Sequence, residues 1–322
     1  MHPALSIIIF TTASGTGYGL LAWIGLLAPS GALPLTRQFG AISVLVALAF
    51  ITAGLLSSTI HLGHPERAWR AISQWRSSWL SREGLAALVT YIPALAFAAL
   101  WLFDINGVVW SACGVLAAIG SVATVVCTAM IYRSLKPIRQ WDNRWVIPNY
   151  LILAGMTGAL WLAALLAILD ILRSGVTVLA ALLVFAAAAG KIAYWRSIDR
   201  GSSPSSLASA TGLPRHRPIR PLDPPHTEEN YLLKEMGYRI ARRHAARLRR
   251  IAIVLAFAAP MVLLVLAWLL RGGAASAALA LASALTATAG VLVERWLFFA
   301  EATHTVALYY RGDAKFGTDP IG

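Results

Sequence analysis

The sequence predicts an all-α integral membrane protein with a bundle of about eight transmembrane helices. Of its 322 residues, 58% are hydrophobic and only 13% are charged, and the mean hydropathy is +0.68. A soluble domain is about half apolar and a quarter charged, so most of this chain is expected to lie in lipid. The apolar residues also occur in separate runs of roughly 20, which is the helix length that crosses a bilayer.

Charged or turn-forming residues bound each apolar run, and the whole chain is expected to form one membrane domain. No Lys or Arg precedes the first run, so it is interpreted as a retained helix rather than a signal peptide. Gly15 and Gly19 in this run have the G-x-x-x-G spacing that lets helix backbones approach closely in lipid. The predicted spans are about 4–28, 39–60, 84–103, 107–131, 146–169, 175–195, 251–270 and 274–300.

The basic residues, which give a net charge of +13, predict the orientation. Eight spans place both termini on one side of the membrane, together with the loops 61–83, 132–145 and 196–250. The basic residues on this side include Arg67, Arg70, Arg76, Arg82, Arg133, Lys136, Arg139, Arg144 and the run from Arg239 to Arg250. The opposite loops contain Arg37, Arg173 and Arg271. Because Lys and Arg accumulate on the cytoplasmic face, we expect a multi-pass protein of the cell inner membrane with both termini in the cytoplasm.

The long loop 196–250 before the seventh span has two parts. Residues 201–226 are rich in Ser, Pro and Gly and are expected to be irregular. A basic, amphipathic helix is predicted to begin at Thr227 as N-cap and to run through Arg250 into the seventh span. Its arginines are expected to contact anionic lipid headgroups or a soluble partner, and no nucleic-acid partner is expected.

The residue pattern predicts no metal, haem or iron–sulfur cluster in this chain. Cys113 and Cys127 are 14 positions apart in one apolar run, or roughly 21 Å along a helix, which is too far for a disulfide. There is no Cys-x-x-Cys to hold an iron–sulfur cluster. His61 and His64 are followed by Pro65, and no pair of histidines lies well inside the spans, as axial haem ligands would.

An imidazole and a carboxylate, those of His61 and Glu83, are predicted to meet at the cytoplasmic edge of the membrane. His61 ends the second span and Glu83 begins the third. Such a pair can exchange protons with a lipid-soluble quinone, whose ring reaches this depth from the bilayer. Two alternatives remain open: Glu83 could complement the helix dipole, with Ser81 as N-cap, and His61 could bond a backbone carbonyl.

Glu294 and Arg295 lie near the cytoplasmic end of the last span. Charged residues at membrane depth are costly and often functional. Because the depth here is shallow, the expectation is that both side chains snorkel to the interface.

Several segments together resemble the membrane anchor subunit of DMSO reductase-type complexes. One is His61-Leu62-Gly63-x-Pro65-x-Arg67-Ala68, followed by Leu80-Ser81-x-Glu83 at the head of the third helix. The others are His2-Pro3 with Phe10-Thr11-Thr12, Lys136-Pro137-Ile138-Arg139-Gln140-Trp141, and Glu294-Arg295-Trp296-Leu297-Phe298-Phe299. The likeness extends over most of the chain.

The resemblance implies a haem-free, eight-helix membrane-anchor domain, 1–322, that holds an iron–sulfur subunit and a molybdopterin catalytic subunit at the membrane. It implies exchange of electrons with the quinone pool, and quinol binding and oxidation at His61 and Glu83. The chain would be a non-catalytic part of an oxidoreductase. We predict that the quinone-binding residues are His61, His64, Arg67 and Glu83. We predict that the partner-docking residues are Arg76, Arg82, Arg139 and Arg144.

Two substrate classes fit this resemblance. The segment Asp223-Pro224-Pro225-His226-Thr227-Glu228-Glu229-Asn230-Tyr231 is similar to the branch associated with cytoplasmic sulfite dehydrogenase. The predicted cytoplasmic docking face agrees with that branch, whereas exported DMSO reductases have their catalytic side outside. Sulfite oxidation is therefore favoured over DMSO reduction.

Two further hypotheses for the function stay open. A secondary transporter would have broken helices and inverted repeats around a site at the membrane midplane, and no such repeat is apparent. A purely structural tether would leave the quinone site elsewhere in the complex. Co-purification with other subunits would argue against a transporter, and binding of a quinone analogue would argue against a structural tether.

Overall fold

The computed structural model describes residues 4–59, 64–201, 239–270 and 272–305. In this part of the chain, eight helices are long and apolar enough to cross a membrane, which confirms the predicted fold class. A 3₁₀ helix, Pro65–Gln74, precedes the third of them. The helices are α1 (Leu5–Leu27), α2 (Arg37–Thr59), α3 (Trp79–Leu102), α4 (Val108–Arg133), α5 (Val146–Ile168), α6 (Ser174–Arg200), α7 (Arg239–Ile253, Val254–Ala258 and Ala259–Leu269) and α8 (Gly273–Ala300).

The start of α3 differs from the sequence prediction. The helix begins at Trp79 rather than near residue 84, and Ser78 is its N-cap, with the Ser78 hydroxyl accepting from the Ser81 amide at 3.4 Å. Hydropathy finds only the apolar part of a helix, so it places the polar first turn in the loop. Ser81 is therefore not the N-cap, and Glu83 lies in the second turn.

The helices around the long loop extend beyond their apolar runs. α6 continues to Arg200, five residues past its predicted end. The chain is helical from Arg239 through Arg250 into the seventh span, whereas the predicted N-cap Thr227 and almost all of 201–226 lie outside the described residues. α7 contains a π-helical turn, Val254–Ala258, just before Pro260, which is a usual place for the hydrogen-bond ladder to adjust to a missing N–H.

The eight helices form two groups that meet through α1 and α5. α1 packs against α2 and α4 and also against α5, while α3 packs mainly on α4. α5 packs against α6 and α8, and α7 packs on α8. α1 and α5 are consequently the most buried of the eight helices.

Glycines make the contact between α1 and α5 very close. A Cβ atom added to Gly19 would lie 1.8 Å from the carbonyl oxygen of Ala154, and one added to Gly158 would lie 2.2 Å from the carbonyl carbon of Gly19. Only residues without a side chain permit this approach. Close packing at the predicted G-x-x-x-G pair is thus confirmed, with Gly19 as the main contact.

Loop contacts define two ends of the bundle. At the end that holds the start of α1, which we name the A end, Ser57 donates to the Ser6 carbonyl at 2.9 Å and Trp141 donates to the Phe298 carbonyl at 3.0 Å. At the opposite B end, Arg37 forms an exposed ion pair with Asp104. This pair lowers the pKa of the Asp104 carboxyl below its usual value.

The helices α6, α7 and α8 are joined at the A end by one arginine. Arg249 of α7 donates to both carboxylate oxygens of Asp199, at 2.7 and 3.0 Å, and to Glu301 at 2.8 Å. Burial raises the pKa of the Glu301 carboxyl, although Arg249 opposes this effect. At least one residue of the basic run therefore stabilises the bundle instead of contacting lipid or a partner.

We expect Gly19→Ala to destabilise the protein by at least about 1–3 kcal/mol, because the added methyl group would overlap the backbone of α5. Thermal unfolding in detergent measures the effect. Gly175→Ala is the matched control, since a Cβ atom there meets no atom within 4 Å, and it should leave the unfolding temperature unchanged or slightly raised. Equal stability of the two variants would contradict the close α1–α5 contact.

Candidate functional site

Glu83 is buried inside the bundle near its A end. It lies in the second turn of α3 with only 4% of its surface exposed, and Thr128 of α4 donates a hydrogen bond to its Oε1 atom. A carboxyl group in apolar surroundings keeps its proton unless it is paired, so its charge state responds strongly to its few neighbours. This position is deeper than the helix-dipole alternative requires, since that role needs only an exposed carboxylate in the first turn.

The hydroxyl of Thr128 has a second possible acceptor. Its Oγ1 atom lies 3.1 Å from the carbonyl oxygen of Thr124, one helical turn earlier. A hydroxyl has one proton to donate and can also accept. Thr128 can therefore donate to an ionised Glu83, or accept from a protonated Glu83 while donating to Thr124.

The other predicted quinone residues have different positions. His61 lies outside the described residues, so its predicted meeting with Glu83 stays a prediction. His64 and Arg67 are exposed in the 3₁₀ segment at the A end, where His64 lies 3.0 Å and Arg67 lies 3.7 Å from Glu66. Neither side chain is described in contact with Glu83.

Two of the four predicted docking arginines hold the fold together. Arg82 donates to the carbonyl oxygens of Trp75 and Arg76 at 2.8 and 2.7 Å, and Arg139 donates to the carbonyl of Ile198. The Arg76 and Arg144 side chains lie over the rings of the adjacent Trp75 and Trp145. Partner docking at these four residues stays a prediction.

A buried charge cluster lies across the bundle from Glu83. Lys191 of α6 and Arg295 of α8 both pair with Glu294, which is 1% exposed. The expectation that Glu294 and Arg295 snorkel to the interface is wrong, because both side chains point between helices. Sequence reasoning missed Lys191, although a lone lysine in an otherwise apolar run is the signal that could have found it.

Aromatic rings surround this charge cluster. The Lys191 ammonium lies 4.1 Å from the ring centre of Tyr194, and the Arg295 guanidinium lies 3.7 Å from that of Tyr150. Such cation–π contacts partly replace the water that buried cations lose. Phe298 and Trp141 stack beyond Tyr150 and close the A end of the bundle.

A small cavity of about 10 Å³, lined by both polar and apolar side chains, lies between α1, α4, α5 and α8. Thr128, which is bonded to Glu83, lines one part of its wall, and Arg295 of the charge cluster lines another. The cavity therefore lies between Glu83 and the charge cluster. The polar side chains that line it are Thr11, Thr12, Ser14, Thr16, Thr128, Tyr150, Thr157 and Arg295. Sequence reasoning did not identify these hydroxyls as a group, because they lie on different helices.

The described residues contain no group of three His, Cys, Asp or Glu side chains placed to hold a metal ion. Cys113 and Cys127 are free and half-buried.

These features define a class: a multi-span helical membrane protein with ionisable groups buried near one end. The family model described as DMSO reductase anchor subunit (DmsC) matches residues 1–300, and the chain belongs to this family. It is also similar to the C component of the sulfite dehydrogenase of Allochromatium vinosum, with 36% identity over 332 aligned residues that cover 98% of this chain and 100% of that protein. The resemblance seen in the motifs is confirmed, and the chain is a membrane anchor subunit of a multi-subunit complex.

We expect Glu294→Gln to destabilise the protein by about 3–5 kcal/mol, because it leaves Lys191 and Arg295 buried without a counter-charge. Thermal unfolding in detergent measures the loss. Arg37→Gln breaks the exposed pair with Asp104 and serves as the control, with no measurable change expected. Wild-type stability of Glu294→Gln would show that the cluster is solvated in the native protein.

Proposed function

We propose that this chain anchors a molybdoenzyme complex in the membrane and passes electrons between the quinone pool and an iron–sulfur partner subunit. In this proposal it supplies the quinone site and no catalytic residue for the terminal substrate. The observation that carries the proposal is the burial of Glu83 near the A end, in a member of the anchor family. A carboxyl group held in a membrane bundle is costly and is rarely kept without a function.

Quinone chemistry requires a group that exchanges protons, and a carboxyl group can do so. Reduction of a quinone takes two electrons and two protons, and oxidation of the quinol returns them. An iron–sulfur cluster of the partner can carry the electrons but not the protons, so residues of the anchor must transfer protons at the membrane edge. Glu83 is proposed to exchange one of them, and His61, two residues after the end of α2 at Thr59, is proposed to exchange the other.

The position of the buried charged residues favours an anchor over a secondary transporter. Glu83, Lys191 and Glu294 all lie on the A-end side of the middle of their helices, whereas a secondary transporter has its site at the midplane. The family membership also favours an anchor over a transporter. A purely structural tether would instead bind no quinone analogue.

The terminal substrate is proposed to be sulfite, with electrons flowing from sulfite to quinone. The full-length similarity to a component of a sulfite dehydrogenase supports this choice, as does the segment 223–231. The A end carries most of the Lys and Arg residues, so it is proposed to face the cytoplasm and to bind the iron–sulfur and molybdopterin subunits there.

We expect Glu83→Gln to lower quinone-linked turnover of the purified complex by about 10²–10⁴-fold, since an amide cannot exchange the proton. Dye-linked activity of the soluble subunits should be unchanged, which controls for assembly. Asp104→Asn, at the exposed B end, is the matched control and should retain quinone turnover.

Two outcomes would contradict this assignment. Full quinone-linked turnover in both Glu83→Gln and His61→Ala would remove these residues from the site. A complex that binds no quinone analogue in the membrane subunit would favour the tether.

The choice of substrate has its own test. The complex purified with its native partners is expected to reduce quinone when sulfite is added, because the proposed electron flow runs from sulfite. Quinol-dependent reduction of DMSO, without sulfite oxidation, would instead show that the complex is a DMSO reductase.

A further inference from the structure

The cavity lined by Thr128, the partner of Glu83, has the size of a site for one water molecule, and unpartnered hydroxyls face it. Its volume of about 10 Å³ is close to the minimum of roughly 10–15 Å³ that a single water requires. The hydroxyl oxygens of Thr12 and Thr16 line it and have no hydrogen-bond partner among the described residues. Both side chains are at least nine-tenths buried, and a buried hydroxyl without a partner is costly unless water satisfies it.

Other lining groups can complete the shell of this water. The Thr157 hydroxyl donates to the Leu153 carbonyl at 2.9 Å and the Ser14 hydroxyl donates to the Phe10 carbonyl at 2.6 Å, which leaves both oxygens able to accept. Arg295 lines the wall as a cationic donor. A water molecule here therefore has access to at least the two to four polar partners that a buried water usually has.

The same cavity reaches the candidate quinone site through a single side chain. Thr128 lines the cavity and also contacts Glu83. Its hydroxyl can donate to the ionised carboxylate or accept from the protonated acid, because the Thr124 carbonyl offers a second acceptor. Thr128 thus remains bonded to Glu83 in either charge state.

We propose that Thr128 and a water molecule in this cavity form an inner proton relay to Glu83. This inference rests on the proposed quinone function and adds a positioning residue and a water site to it. When the iron–sulfur subunit delivers two electrons to the quinone, Glu83 gives one proton to a quinone oxygen and becomes a carboxylate. The Thr128 hydroxyl proton then moves to Glu83 as the cavity water gives a proton to Thr128. A proton from the aqueous phase restores the cavity water and completes the cycle.

The first test compares Thr128→Val with Thr128→Ser in the intact complex. Valine keeps the shape of threonine but removes the hydroxyl, and we expect quinone-linked turnover to fall by about 10²-fold, as for the loss of one proton-transfer step. Serine restores the hydroxyl and should restore turnover. Thr286→Val is the matched control, because the Thr286 hydroxyl makes a similar bond within its own helix, 2.7 Å to the Ala282 carbonyl, and it does not line the cavity.

Binding of a quinone analogue separates a relay from a binding defect. In Thr128→Val we expect unchanged analogue affinity, a lowered maximal rate and a larger solvent deuterium isotope effect. Normal turnover in Thr128→Val, with Glu83→Gln inactive, would overturn the relay and leave the quinone site intact. Normal turnover in both variants would overturn the relay and also remove Glu83 from the proposed quinone site. A loss confined to analogue affinity would also overturn the relay.

The second test addresses the water directly. Infrared difference spectra of the complex on quinone reduction should contain an O–H stretching band that shifts in H₂¹⁸O. Thr16→Val should weaken or move this band, and Thr128→Val should move the Glu83 carboxyl band, which is identified by its loss in Glu83→Gln. Absence of any ¹⁸O-sensitive band, or a Glu83 band that is unchanged in Thr128→Val, would overturn the proposal.

Discussion

The close contact of α1 with α5 is the constraint on which the rest of this structure depends. Gly19 and Gly158 let the two backbones touch, and no side chain could be accommodated between them. The contact joins the helices around Glu83 to the helices around Glu294. Since lipid offers no hydrophobic force between helices, close packing of this kind provides much of their association.

A second constraint follows from the apolar solvent. Every ionisable group that the bundle encloses needs a partner, because bulk water does not surround it. Lys191 and Arg295 form ion pairs with Glu294 and are flanked by aromatic rings, whereas the hydrogen bond described for Glu83 comes from a single hydroxyl. The cluster with many partners is suited to a fixed charge. The Glu83 carboxyl, whose hydroxyl partner can either donate or accept, is suited to reversible protonation.

The predicted site is only partly accounted for by local sequence. Glu83 is predicted from its place at a helix start beside a motif, and its burial fits the predicted role. Thr128 and Lys191 escape prediction, because threonine and a lone lysine in an apolar span have no periodic signal of their own. The expectation that Arg295 snorkels to the interface is wrong, since distance from the end of a span does not tell which neighbours cover a side chain.

The sequence by itself determined the membrane class, the number of spans and the asymmetry of the basic residues, because each is a property of composition along the chain. It also determined the family through motifs that extend over most of the length. Only the tertiary structure decided that hydroxyls from different helices share one cavity between Glu83 and Arg295. Contacts of this kind depend on which helix faces meet, and in a bundle that is apolar on nearly every face the hydrophobic pattern does not specify those faces.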